Sequence, residues 1–189
     1  MKPSHGRLAF VMPAPSAEAF EAFFNHELRL RWDTLLEVTY VEGGGSHPYA
    51  GAISTNRGKG WKTGMTMRTR FLVYDPPRQA SAELVEPTGM FELWAASMRF
   101  RDRDDGTCEL IYTYALQLRP RWVAALFGWL GSLLFAWETR RRFGAMARFV
   151  GRSTGLQTNQ DLPAAPPTPV SYRPAVARTT SPPPRRPPQ

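Results

Sequence analysis

Residues 107–151, TCELIYTYALQLRPRWVAALFGWLGSLLFAWETRRRFGAMARFVG, decide the fold, because a strand here runs into a long helix. Up to Leu118, apolar side chains tend to alternate with polar ones, which is typical of a strand with one buried face. Pro120 ends that strand, and the pattern from about Arg121 to Gly151 is helical. A helix of this length is unusual in a small domain. The sequence therefore predicts a last strand followed by one long C-terminal helix.

Upstream of this stretch, the sequence predicts two short helices and six further strands. Ser16 occupies a position suited to a helix N-cap, and Phe20, Phe23 and Phe24 follow with helical spacing. Hairpin-length gaps join most of the strand segments, which favours an antiparallel sheet. The second helix is predicted over Glu27–Leu36, and the strands over Leu8–Met12, Glu37–Glu42, Tyr49–Ser54, Met65–Tyr74, Gln79–Glu86, Phe91–Arg101 and Thr107–Leu118.

The charge and the prolines are concentrated at the C-terminal end. Residues 1–120 carry equal numbers of basic and acidic side chains, so the net charge of +8 arises beyond Pro120. Residues 153–189 combine many of the 18 prolines with few apolar side chains, which predicts a disordered tail after a domain at 1–152. A single cysteine, Cys108, and no apolar leader favour a cytoplasmic location.

Two short motifs resemble those of a known superfamily. The stretch PSAEAFEAFF at 15–24 resembles the first helix of the SRPBCC superfamily. Arg31-Trp32-Asp33, followed by Val41-Glu42-Gly43, resembles the W-D … V-E-G passage of its polyketide cyclase/dehydrase-like branch. The superfamily also contains START lipid-transfer domains. The resemblance covers roughly residues 7–150 and implies an α+β helix-grip fold, in which a seven-stranded curved antiparallel sheet and two short helices surround a long C-terminal helix.

The resemblance also implies an apolar cavity between the sheet and the last helix. Strand alternation supports it. Phe71 and Val73 are predicted on the inner face of one strand, and Trp94, Ala96 and Met98 on the inner face of another, with arginines on the outer face. The alternative is that these side chains simply pack as a core. The residues predicted to contact a ligand are Tyr40, Phe71, Trp94, Met98, Tyr112, Tyr114, Leu126, Trp129 and Leu133.

Catalytic candidates are few. A general base would be His26 or His47, with Asp33 or Glu138 as its partner, although Asp33 after Trp32 fits a capping or turn residue better. The three histidines are scattered and there is one cysteine, so we expect neither a metal site nor a cofactor.

Residues 122–137 also invite a membrane interpretation. This apolar segment is bracketed by arginines and has a tryptophan at each end, as interfacial anchors have. It would span about 24 Å as a helix, less than a hydrocarbon core of about 30 Å. We favour the helix gripped by the sheet, with one face left over for an anionic membrane surface, for a second copy or for the tail.

Three functions remain open on this basis. The first is binding or transport of a hydrophobic small molecule, such as a lipid, an isoprenoid or an aromatic polyketide-like compound. The second is a cyclase or dehydratase that uses the same cavity, with Tyr112, Tyr114, His26 or Asp33 as the residues that matter. The third is a peripheral membrane protein at the inner membrane face. Specific nucleic-acid binding is not expected, since no motif surrounds the basic excess.

Overall fold

The computed structural model of the chain describes residues 3–60 and 64–154, with only the backbone at 121–128, 132, 153 and 154. Within these residues the chain forms a strand, two short helices, six strands and a long helix. The elements are β1 (Ser4–Met12), α1 (Ser16–Phe24), α2 (His26–Trp32), β2 (Leu36–Val41), β3 (Ile53–Gly58), β4 (Thr66–Asp75), β5 (Gln79–Leu84), β6 (Phe91–Asp102), β7 (Cys108–Leu118) and α3 (Arg121–Thr154).

The strands form one curved antiparallel sheet in the order β1-β7-β6-β5-β4-β3-β2. Strands β2 to β7 follow one another as a meander, and β1 adds to the far side of β7. The two short helices and α3 lie on the concave side. This arrangement confirms the predicted helix-grip fold. Of the predicted tail, Ser153 and Thr154 continue α3, and residues 155–189 lie outside the described residues.

The start of α1 differs from the prediction. Ser16 is the first helical residue and Pro15 takes the cap position, where it makes no side-chain hydrogen bond. The cap comes instead from the end of β6. Both the Ser16 backbone N–H (2.6 Å) and its hydroxyl (2.8 Å) donate to the Asp102 carboxylate. A long-range carboxylate thus replaces the local cap, which fixes α1 to the sheet.

Several predicted boundaries are wrong. The first strand begins at Ser4 instead of Leu8, and the third ends at Gly58 instead of Ser54. The second helix ends at Trp32, because Asp33 adopts an extended conformation and Leu36 already belongs to β2. The third strand begins at Ile53 instead of Tyr49. Residues 49–52 form a turn instead, in which Gly51 has φ +91° and the Ala52 N–H donates to the Tyr49 carbonyl at 2.9 Å.

The predicted inward position of Val73 is also wrong, because β4 is irregular. The pairing of β4 with β5 shifts register between Phe71 and Val73. An extra residue reverses the alternation beyond it. Val73 is exposed, whereas Tyr74 turns inward and packs edge-on against Phe24 at 5.7 Å between ring centroids.

The solid part of the core lies where the second half of α3 meets α1, β1 and β7. Phe143 is 1% exposed and its ring contacts Phe10 at 4.8 Å, Tyr112 at 5.3 Å and Phe23 at 5.9 Å between centroids. Met146 and Val150 continue this buried face by one and two further turns. The C-terminal half of α3 is therefore a core element.

Candidate ligand-binding cavity

A cavity of about 470 Å³ lies between the sheet and residues 131–142 of α3. Its volume falls in the range of small-molecule sites, about 300–1,000 Å³. Most of its wall is apolar. The larger apolar side chains that line it are Phe23, Phe24, Leu35, Leu36, Met65, Met67, Phe71, Met90, Phe91, Trp94, Met98, Leu116, Leu118, Leu134 and Phe135.

Four of the nine residues predicted to contact a ligand line this cavity. They are Phe71 on β4, Trp94 and Met98 on β6, and Tyr112 on β7. Each lies on the inward face that strand alternation predicted. Tyr114 is also buried but lies behind the wall, with its ring 4.7 Å from that of Phe135 and packed over Gly6 of β1.

Three of the other four predicted contacts do not line the cavity. Tyr40 is 49% exposed, because Thr39 and Val41 take the inward positions of β2. Trp129, 67% exposed, and Leu133 lie on the outer side of α3, while Gly131 and Phe135 face the cavity. The side chain of Leu126 lies outside the described part of α3. The inward assignments of Tyr40, Trp129 and Leu133 were therefore wrong.

A buried ion triad, which the sequence interpretation missed, forms one part of the wall. Asp33 follows α2, and its Oδ2 accepts from the Arg29 Nε at 3.1 Å and from the Arg142 Nε at 2.9 Å. The Arg142 Nη2 also donates to this oxygen, while Oδ1 accepts from the Leu35 N–H at 3.1 Å. Both arginines line the cavity, and the Asp33 side chain is fully buried.

The triad also explains the Trp-Asp motif. The Trp32 indole N–H donates to the Ala22 carbonyl at 2.8 Å, which ties α2 to the end of α1. Asp33 then ties both to Arg142 on α3. The only sequence signal was the Arg29–Asp33 spacing of four residues, which is common on exposed helices. Arg142 follows two other arginines in a run that is usually solvated.

Charge and burial oppose one another within the triad. Burial alone would raise the pKa of Asp33, but Arg142 and Arg29 together hold it below its ordinary value. Burial lowers the pKa of Arg29 to about 10, and the positive charge of Arg142 adds to this effect. Asp33 is thus a firmly held anion, and Arg29 carries a positive charge that its surroundings compensate only in part.

A second polar group, behind the β3 wall, contains His26. The Thr39 hydroxyl donates to the Asn56 Oδ1 at 2.8 Å, so its oxygen is free to accept from the His26 Nδ1–H at 2.5 Å. The His26 Nε2 then accepts from the Ser54 hydroxyl at 3.2 Å. Ser54 and Asn56 line the cavity, two residues apart on the same face of β3.

His26 is held neutral in this network. Burial lowers its pKa to about 4, and the positive charge of Arg29 contributes. Both ring nitrogens are engaged and the ring does not line the cavity. Such an imidazole is a weak proton acceptor near neutral pH. Its evident role is to orient Ser54 and, through Thr39, Asn56.

The remaining polar group of note is the Tyr112 hydroxyl. Burial raises its pKa well above the ordinary tyrosine value, so the phenol stays protonated. Among residues 3–60 and 64–154, no cluster of three histidine, cysteine or acidic side chains is arranged to hold a metal ion. What the cavity offers is an apolar enclosure with arginine, hydroxyl and amide groups at defined points.

A curved antiparallel sheet closed over a C-terminal helix, with an apolar cavity between them, defines the helix-grip class of ligand-cavity proteins. The comparisons with known proteins agree. The chain belongs to the family described as polyketide cyclase / dehydrase and lipid transport, whose model matches residues 7–152. None of the curated protein sequences matches the chain.

Solved structures with the same fold come from several bacteria. An aromatase/cyclase from a Streptomyces species has a TM-score of 0.68 at 12% identity, covering 80% of this chain and 96% of its own. A protein of Thermus thermophilus has a TM-score of 0.66 at 13% identity, covering 79% and 99%. A START superfamily protein of Mycobacterium smegmatis has a TM-score of 0.53 at 12% identity, covering 72% and 96%. At these identities the likeness establishes the fold alone.

Proposed function

We propose that the protein binds a hydrophobic small molecule, such as a lipid, an isoprenoid or an aromatic polyketide-like compound, in the cavity between the sheet and α3. The observation that carries the proposal is the cavity of about 470 Å³ with its mainly apolar wall. The family description, which names both lipid transport and polyketide cyclisation, supports the same class of ligand.

The free energy of binding would come mainly from desolvation. Apolar ligand surface that leaves water contributes roughly 25 cal/mol per Å². Phe71, Trp94 and Met98 would provide much of the contact area, and the few polar groups of the wall would orient the ligand.

Native mass spectrometry of the purified protein tests the proposal, combined with thermal denaturation against a library of hydrophobic compounds. The matched variants are Ala96→Trp and Ala95→Trp, which lie next to one another on β6. Ala96 lines the cavity and Ala95 does not. We expect bound ligand and ligand-induced thermal stabilisation in the wild type and in A95W, and their loss in A96W. A wild-type protein that carries no ligand and gains no stability from any compound would contradict the proposal.

The cyclase or dehydratase alternative rests on the polar groups of the same wall. The protonated Tyr112 hydroxyl and the oriented Ser54 and Asn56 side chains could position an oxygen-bearing substrate. Asp33 is bound in the ion triad and is not available as a base. Tyr112→Phe should therefore reduce turnover of a polyketone substrate more than Tyr114→Phe does. Equal turnover in both variants and the wild type would remove the Tyr112 role.

The membrane-surface alternative rests on the outer side of α3. Trp129, Leu133 and Trp137 are exposed there, and the Arg141 guanidinium lies 5.9 Å from the Trp137 ring centroid. No helix within the described residues is long and apolar enough to cross a membrane. Flotation with anionic vesicles tests surface binding, with Trp129→Asp as the variant expected to lose it. Equal flotation of variant and wild type would argue against this face.

A further inference from the structure

We propose that the cavity selects ligands with an anionic head group, a carboxylate or a similar oxyanion, which binds the guanidinium groups of Arg29 and Arg142. The inference rests on the proposed function, because it names the class of molecule that the same cavity holds. It is carried by the geometry of the ion triad.

The triad holds more positive charge than negative. Two guanidinium groups share one carboxylate, Asp33, whose side chain is fully buried. Arg29 and Arg142 are themselves mostly buried, with side chains 9% and 15% exposed. Two cations beside a single anion in a poorly solvated site leave a charge that a second anion would compensate. An anionic ligand group is such an anion.

Some guanidinium N–H donors of the triad are not used by Asp33. All three recorded bonds from the two guanidiniums converge on one atom, Asp33 Oδ2. Within the described residues Arg29 uses only Nε, and Arg142 uses Nε and Nη2. No buried side-chain nitrogen or oxygen in that part of the chain lacks a partner, so the remaining Nη atoms are accessible to solvent or ligand. Since both arginines line the cavity, these donors are available to a ligand there.

Both guanidiniums are held in place. The carbon Cζ of Arg29 lies 4.4 Å from the Phe23 ring centroid, and that of Arg142 lies 5.1 Å from it. The ring contacts and Asp33 fix the two groups before a ligand arrives, which reduces the entropy lost on binding. The lowered pKa of Arg29 agrees with a cation that lacks full compensation.

Among the described residues that line the cavity, Glu138 carries the other charge, and its carboxylate must be counted. It lies one helical turn before Arg142 and lines the cavity. However, apart from the ionised form of Tyr112, which forms only at alkaline pH, the charges that shift the pKa of Arg29 are those of Arg142 and Asp33. Glu138 therefore does not take the place of the missing anion at Arg29.

The test compares ligands that differ only in head group. Dodecanoate, dodecanol and dodecylamine are titrated below their micelle concentrations at pH 7.5 by calorimetry, and naphthalene-2-carboxylate and 2-naphthalenemethanol provide an aromatic pair. We expect each carboxylate to bind about tenfold or more tightly than its alcohol, because charge-assisted hydrogen bonds are roughly twice as strong as neutral ones. Dodecylamine should bind most weakly.

Variants locate the effect. Arg29→Gln and Arg142→Gln should bring the carboxylate-to-alcohol preference close to one, whereas Arg31→Gln, an exposed site on the same helix, should retain it. Circular dichroism checks folding. If a glutamine variant does not fold, Arg29→Lys replaces it; this variant keeps the charge and should retain most of the carboxylate preference. The difference in affinity between carboxylates and alcohols in the wild-type protein then still tests the proposal.

The outcomes separate the two proposals. Alcohols that bind the wild type as tightly as the carboxylates would overturn the anionic head group and leave the cavity function standing. Failure of every alkyl and aromatic compound to bind would count against the cavity function itself, and the head-group inference would fall with it.

Discussion

The two halves of α3 face the same sheet but have opposite surroundings. From Phe143 onward the helix buries one face completely against β1, β7 and α1, with Phe143, Met146 and Val150 almost inaccessible to solvent. From Trp129 to Trp137 it covers a cavity on one side and exposes large apolar side chains on the other. The ion triad of Arg142 lies at the boundary between these halves.

The difference shows that the helix has two roles, packing the core and enclosing the cavity, and that these roles require different packing densities. One end must be dense, because tight packing of aromatic rings provides the free energy of folding. The other end must stay hollow to admit a ligand, which forfeits some of that packing. Substitutions should therefore have large effects on stability at the packed end and small ones at the hollow end.

The largest expected effect is at the packed end. Phe143→Ala should lower the free energy of unfolding by about 3–5 kcal/mol, the usual cost of a buried phenylalanine. Its ring contacts three elements at once, through Phe10, Phe23 and Tyr112. Urea denaturation measures the change, with Trp137→Ala on the exposed side of α3 as the control. A smaller loss in F143A than in W137A would reverse the comparison.

At the boundary, Asp33→Asn should be nearly as costly, about 3–5 kcal/mol, because it leaves two buried guanidiniums without their carboxylate. Glu42→Gln, which breaks the more exposed Glu42–Arg68 pair, should change stability far less. Since the pKa of Asp33 is lowered in the folded state, its contribution is complete above about pH 4. It is lost as the pH falls through the lowered pKa.

The pH dependence of this stability difference tests the role of the Asp33 charge more directly than its size does. The difference in unfolding free energy between wild type and D33N should be constant above about pH 4 and should shrink below it. A difference that persists unchanged at lower pH would mean that the Asp33 charge is not what holds the boundary.

The sequence predicted the regular parts of the molecule better than the cavity. Strand alternation placed Trp94 and Met98 correctly, because β6 is long and has one buried face. It failed at Tyr40 and Val73, where a one-residue shift or a bulge reverses the facing of the side chain. Along 122–137 almost every residue is apolar, so no period marks the cavity side, and Trp129 and Leu133 were placed on the wrong face.

Of the polar groups that line the cavity, only Tyr112 was predicted to contact a ligand. Arg29 and Asp33 lie four residues apart at the end of α2, whereas Arg142 comes from α3, and each resembles an ordinary surface residue in its local sequence. Only the tertiary arrangement of α2 against α3 brings them together. Ser54 and Asn56 were missed for a simpler reason, since the predicted third strand ended where the real one begins to line the cavity.

On the cavity side, the His26 network predicts a pH effect of intermediate size. The pKa of His26 is lowered to about 4, whereas in the unfolded chain it is about 6.5. Only the unfolded chain gains this proton between those values, so stability should fall as the pH drops from about 6.5 to 4, by up to about 3 kcal/mol. His26→Gln should flatten this slope. A slope that is equal in H26Q and wild type would show that another group is responsible.

The smallest effect should come from the outer side of the hollow half. Leu133 is exposed, so Leu133→Gln removes little buried surface and should change the free energy of unfolding by no more than about 0.5 kcal/mol. Leu116→Gln, at an almost fully buried leucine on β7 that also lines the cavity, is the matched substitution and should destabilise by several times as much.

If L133Q instead unfolds as readily as L116Q, the outer side of α3 is covered in solution, by a second copy or by residues 155–189. In that case the large stability effects would no longer be confined to the packed end. If a second copy covers this side, the loss of unfolding free energy in L133Q should depend on protein concentration. If the residues beyond Thr154 cover it, the loss should not depend on concentration.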